Sequence, residues 1–137
     1  ISEIEKVTAK GGNWIILIKS ATNVLKGDNF VFVYPEIMQN KIIVRRGEVI
    51  TKEILEIKDL EFENINSKIN NLLKKTRDKI KLRGSIVNEI TTKGDFIKKI
   101  RDSIDVNLKN KYLIEVVSLK DSKTAEAIIV ELNVTQL

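Results

Sequence analysis

The chain contains no histidine and no cysteine. Histidine is the usual general base near neutral pH and the commonest metal ligand, while cysteine supplies thiolate nucleophiles, zinc ligands and disulfides. Their joint absence removes the catalytic triads, the thiol proteases, nearly all zinc sites and every disulfide. It leaves the redox compartment open, because a cysteine-free chain suits either side of a membrane. No apolar run approaches the roughly 20 residues of a membrane helix; Trp14–Ile18 and Phe30–Tyr34 are of strand length. No segment reads as a signal peptide.

What is present is ordinary in amount and biased in kind. A content of 42% hydrophobic and 31% charged residues suits a globular chain rather than a disordered one. Isoleucine, lysine and asparagine dominate their classes, as codon bias in an AT-rich genome would make them. The net charge of +5 favours weak attraction to nucleic acid or an anionic membrane and says nothing about fold. A chain of 137 residues fits one domain able to bury a core without staples. It opens on Ile1 rather than methionine, so it is expected to be part of a longer protein.

Ile1, Ile4 and Val7 stand at helical spacing, as in the tail of an upstream helix or coiled coil over residues 1–10. Gly11-Gly12 breaks that pattern, and a single globular domain is expected over 11–137. The dense run Trp14–Ile18 predicts a strand buried on both faces. Residues 23–29, with Gly27 and Asp28, read as the connection to a second strand at Phe30–Tyr34, which Pro35 should end. Gln39-Asn40 marks a turn before a third strand at Lys41–Arg45. Gly47 interrupts it, and Glu48–Ile57 follows as a short strand running into a turn. The clearest helix spans Leu60–Lys81, with Phe62, Ile65, Ile69, Leu72, Leu73, Thr76 and Ile80 on one stripe and Gly84 as its stop. Ser85–Ile90 reads as a strand. Asp95 opens a second helix ending near Asp105, with Phe96, Ile97, Ile100 and Ile104 on one face. Tyr112–Leu119 and Ala125–Val134 form a final hairpin-like pair.

An internal echo runs through this pattern. Aligning Trp14 with Tyr112 sets Ile16 on Ile114, Ile18 on Val116, Ser20 on Ser118, Asn23 on Asp121 and Asp28 on Glu126. A second echo sets Arg46-Gly47 on Arg83-Gly84. The fold class expected is α+β: a small β-rich core, either a pseudo-symmetric barrel or a sheet of about six strands, with two amphipathic helices.

With histidine and cysteine gone, chemistry would have to come from carboxylate pairs, a lysine nucleophile or backbone phosphate cradles. Carboxylates gather at Glu53, Glu56, Asp59, Glu61 and Glu63, a set that can hold a hard cation or act in acid–base hydrolysis. They are interleaved with apolar residues and lysines as a solvated face would be, and so are Asp102 and Asp105. The turns at Gly11-Gly12, Gly27 and Gly47 carry no phosphate-loop or dinucleotide fingerprint. The best binding candidate is the basic run Lys74, Lys75, Arg77, Lys79, Lys81 and Arg83, for an anionic partner. Lys68, Lys75 and Lys79 line one edge of the helix, and Lys74, Arg77 and Lys81 the other. Few arginines and no aromatic accompany them, so a solvated helix face competes with base readout or stacking. No catalytic residue, metal ligand or cofactor is assigned.

The segments Asn23-Val-Leu-Lys-Gly27-Asp28-x-Phe-Val-Phe-Val33 and Asn40-Lys-Ile-Ile-Val-Arg-Arg-Gly47-Glu-Val-Ile50 carry a family resemblance. They resemble the C-terminal region of a bacterial family of uncharacterised membrane-anchored proteins with a myosin-like coiled coil. The resemblance covers about Asn13 to Val134, and its specific part is residues 23–50, where Asn23, Gly27, Asp28, Asn40 and Gly47 are structural turn positions. It implies N-terminal membrane helices and a long coiled coil ahead of this region, and no catalytic residues. The stretch Arg46-Gly47-Glu-Val-Ile-Thr51-x-x-x-Leu55 is also similar to the glycine turn of β-clip domains related to antifreeze protein and sialic acid synthase.

The expectation is therefore a non-enzymatic protein-interaction or self-association domain, at the end of a membrane-anchored coiled-coil protein of the bacterial envelope. The alternative is a basic nucleic-acid-binding module using Lys74–Arg83. An enzyme using carboxylates or lysine comes third.

Overall fold

The computed structural model of the chain describes residues 13–20, 32–56, 62–103 and 111–137, without the side chains of the two residues that open the first helix. The helical tail over residues 1–10, the Gly11-Gly12 turn and the connection carrying Asn23, Gly27 and Asp28 lie outside the described residues. So do Asp59, Glu61, Ile104 and Asp105.

The elements are β1 (Trp14–Ser20), β2 (Val33–Gln39), β3 (Ile42–Val44), β4 (Val49–Leu55), α1 (Phe62–Leu82), β5 (Ile90–Thr92), α2 (Phe96–Ser103), β6 (Tyr112–Ser118), β7 (Ser122–Lys123) and β8 (Ile128–Gln136). The fold class is α+β, with no closed barrel among the described residues; the strands divide into one four-stranded and two two-stranded open sheets rather than a single sheet of about six. No helix among the described residues is long and apolar enough to cross a membrane. The chain divides into two compact units, Ile1–Lys41 and Ile42–Leu137.

In the first unit β1 and β2 form an antiparallel ribbon, with Trp14 opposite Gln39, Ile16 opposite Ile37 and Ile18 opposite Pro35. Two expectations change here. Pro35 lies inside β2 instead of ending it. A two-stranded ribbon has outer edges at which a residue without an N–H costs no ladder bond. Nor is the apolar run of β1 buried on both faces: Trp14, Ile16 and Ile18 are all exposed. Two strands supply one ladder and no covering layer.

In the second unit the main sheet has the order β4-β6-β8-β5. β6 lies antiparallel to both β4 and β8, and β5 runs parallel to β8. β3 and β7 make a separate short antiparallel pair. One face of the main sheet presents Leu55, Tyr112, Ile114, Val116, Val130 and Leu132, all buried. These pack with the α1 stripe of Ile65, Ile69, Leu72 and Ile80 and with Phe96 and Ile100 of α2. The 3.6-residue period of α1 thus meets the two-residue period of β4, β6 and β8.

Helix ends follow from local chemistry. Asp95 Oδ1 accepts from the N–H groups of Ile97 (3.0 Å) and Lys98 (3.2 Å), satisfying donors the first turn of α2 leaves unpaired. At the end of α1, Gly84 adopts φ +105°. Its N–H donates to Lys81 O (3.0 Å) and that of Ser85 to Ile80 O (3.1 Å), the paired bonds of a left-handed glycine cap. The chain then follows an irregular course, with Asn88 at φ +51°, so the strand expected at Ser85–Ile90 reduces to the start of β5.

The echoed strands β1 and β6 coincide residue for residue in span, and each opens an antiparallel ladder. Their surroundings are opposite, β1 exposed and β6 buried. The Arg46-Gly47 and Arg83-Gly84 echo joins unlike structures, a turn between β3 and β4 and a helix cap. What the pairs share is a glycine at positive φ, +81° at Gly47 and +105° at Gly84.

Candidate functional site

The basic residues of α1 fall into two sets according to where the helix sits on the sheet. α1 packs over β4, which ends the sheet among the described residues. An edge strand turns alternate carbonyl groups outward with no partner strand to meet them. Lys79 Nζ donates to Ile50 O at 2.7 Å, and Lys68 Nζ reaches Ile54 O at 3.5 Å. Between them, Glu53 stands 4.0 Å from Lys68 and 3.9 Å from Lys75. Arg83 closes the row, donating from Nη1 to Ile43 O (3.1 Å) and pairing with Glu48. Glu48 also accepts from the Arg45 N–H at 3.4 Å across the Gly47 turn.

Lys75, Lys79 and Arg83, half of the predicted anionic-partner set, are therefore directed at strand carbonyls and carboxylates of their own domain. Lys74, Arg77 and Lys81 are exposed on the opposite edge, with Asp78 among them. The structure does not bring the six into one cationic surface. Of the motif turns, Asn40 donates its N–H to Asn13 O at 2.8 Å. The Gly47 turn is pinned to the β6–β7 region, with Gly47 N–H on Ser118 O (2.8 Å) and Arg46 N–H on Asp121 Oδ1 (2.7 Å). Both turns are thus held by hydrogen bonds from backbone N–H groups.

Of the acidic cluster, the side chains of Glu53 and Glu56 are described. Among the described residues no three carboxylates come together. Glu56 faces Lys111 at 3.8 Å, and Glu53 faces the two lysines of α1. Glu53 departs from the solvated face expected of it: its side chain is 25% exposed, and its Oε2 is buried without a hydrogen-bond partner.

Two features were not singled out in the sequence. One is a hydroxyl relay beneath α1. Thr76 is fully buried and donates from Oγ1 to Leu72 O at 2.8 Å. Its oxygen lies 2.5 Å from Thr51 Oγ1. Since Thr76 has used its one proton, Thr51 is the donor to Thr76. A threonine on an otherwise apolar stripe was the available signal, because a buried hydroxyl needs a partner. The other is an open groove of about 450 Å³ lined by Val49, Ile50, Thr51, Lys52, Lys75, Lys79 and Glu115. It follows the first half of β4 beside α1 and holds three ammonium groups against one carboxylate. Comparison of the chain with protein families, with curated proteins and with solved structures returns no match.

Proposed function

We infer that this chain is a non-enzymatic protein-interaction or self-association domain. The observation that carries the reading is the apolar face of the β1–β2 ribbon. Residues directly opposite in an antiparallel pair share a face, so the register gathers Trp14, Ile16, Ile18, Val33, Pro35 and Ile37 on one side. Ile18 is 65% exposed, Val33 58% and Ile16 45%. A contiguous apolar face of this kind marks an interaction surface, where isolated exposed apolar residues would need no explanation. The lack of histidine and cysteine supports the non-enzymatic part.

The setting proposed for the domain, at the end of a membrane-anchored coiled-coil protein of the bacterial envelope, rests on the resemblance of residues 23–50. The coding sequence upstream of Ile1 tests it, since membrane helices and heptads should precede this region. Nucleic-acid binding ranks second, because Lys75, Lys79 and Arg83 engage groups of the same domain and leave Lys74, Arg77 and Lys81 beside Asp78. Its signature would be binding that falls steeply with salt.

The interaction reading is tested by fluorescence-detected sedimentation of the labelled chain, alone and in extract of its native cell. The wild-type chain should sediment as a larger species that Ile18→Lys abolishes. Monomeric sedimentation of both in both media would overturn the reading, and so would substrate turnover in a broad hydrolase screen.

A further inference from the structure

The edge of β4 differs from the ribbon in charge and in geometry. No described strand lies beyond β4, and its outward carbonyls at Ile50 and Ile54 are met by lysine side chains. The β4–β6 register shifts between Val49 and Thr51, and beyond that irregularity the backbone groups of Lys52 face the same edge as those of Ile54, two residues on. Lysines over an edge guard it against unplanned pairing. They are also exchangeable, because a side-chain N–H occupies the place where the N–H of another strand would donate. The groove beside this edge holds Lys52, Lys75 and Lys79 against Glu115.

We propose that the groove along Val49–Lys52 takes an extended acidic segment of a partner protein, which adds to the main sheet as a strand beside β4. The backbone N–H groups of that segment replace the lysine donors at the β4 carbonyls. The released Lys79, with Lys75, meets carboxylates on the helix side of the added strand, while Lys52 meets those on the other side. Hydrogen bonds are thus exchanged rather than lost, and new charge pairs form. A second copy of this chain fits the groove poorly, since pairing β4 with β4 sets Lys52, Lys75 and Lys79 of each copy together. The groove offers no aromatic platform for single-stranded nucleic acid. This site shares no residue with the ribbon, and each stands or falls without the other.

The test uses the full 137-residue chain and fluorescein-labelled peptides of alternating glutamate and valine. Controls are the lysine–valine counterpart, the acidic peptide with a central proline, and a single-stranded oligonucleotide. Fluorescence polarisation should report binding of the acidic peptide only, weakened by the proline, which cannot donate to a ladder. Lys52→Glu and Lys79→Met should each weaken binding about tenfold or more, the scale of one lost charged contact. Lys52 is an exposed side chain, so Lys52→Glu keeps the domain folded should Lys79→Met not. Backbone amide shifts on titration should centre on Val49–Leu55. Absence of binding, equal binding of acidic and basic peptides, preferential binding of the oligonucleotide, or shifts centred elsewhere overturns the proposal. Dimerisation through β4 without peptide overturns it too. Loss of the larger species with Ile18→Lys tests only the ribbon.

Discussion

Replacing Arg83 by methionine separates two views of the basic helix that are identical in net charge. Methionine keeps an apolar stem and removes the guanidinium. That group donates to Ile43 O and pairs with Glu48, so its loss strips one carbonyl of a donor and leaves Glu48 with the Arg45 N–H alone. Hydrogen bonds to charged groups contribute about 1.5–3 kcal/mol, whereas exposed ion pairs contribute about 0–1 kcal/mol. Both side chains are 31% exposed, which places the loss toward the lower part of the combined range, about 2 kcal/mol. Lys79→Met removes the single 2.7 Å bond to Ile50 O from an exposed side chain and should cost about 1 kcal/mol. Lys74→Met, Arg77→Met and Lys81→Met touch nothing comparable and should stay within about 0.5 kcal/mol. Urea unfolding followed by far-UV circular dichroism reads all five, with an unchanged denaturant slope as the check that only stability moved. For a unit of this size the Arg83 change corresponds to a fall in Tm of roughly 8–16 °C. Equal midpoints for Arg83→Met and Lys74→Met would refute the assignment of half the cluster to structure.

Thr76→Ala should cost about 1–3 kcal/mol by chemical denaturation, because it leaves the Thr51 hydroxyl without its acceptor. Asp95→Ala removes the cap of α2 and should cost about 1 kcal/mol, with faster amide exchange at Ile97 and Lys98. Lys19 on β1 is held above the ordinary lysine pKa, first by its hydrogen bond to Glu36 and then by that carboxylate's charge. A raised folded value means that the pair's contribution is complete below the unfolded value of about 10.4. It fades as pH climbs through the folded value. NMR titration of Lys19 should show the elevation shrinking in high salt and vanishing with Glu36→Gln, and an elevation unchanged by either would contradict the pairing.

The helices were legible because their signals are local. Ile65, Ile69, Leu72, Thr76 and Ile80 repeat at the helical period, and Gly84 and Asp95 carry their capping chemistry in their own side chains or lack of one. β6 and β8 were legible because dense β-branched runs need a buried sheet, and there they find one. The same composition misled at Trp14–Ile18. An apolar run reports that a strand wants cover, while cover depends on how many layers the rest of the chain supplies. Pro35 misled for a related reason, since its missing N–H matters only if a partner lies on that side. The destinations of Lys68, Lys79 and Arg83 were not readable, because a charge aligned along a helix edge looks the same whether it meets water or a strand carbonyl. The spacing of Lys68, Lys75 and Lys79 was visible; that β4 would run beneath them was a property of the tertiary fold.

A photo-reactive amino acid in place of Ile18, carried in the native cell and compared with the same group at Lys74, tests the interaction surface most directly. Irradiation followed by mass spectrometry should give a covalent adduct between position 18 and a protein, whether another copy of this chain or a different one. Position 74 should give none. The reading fails if position 18 yields no protein adduct, or if position 74 instead captures nucleic acid.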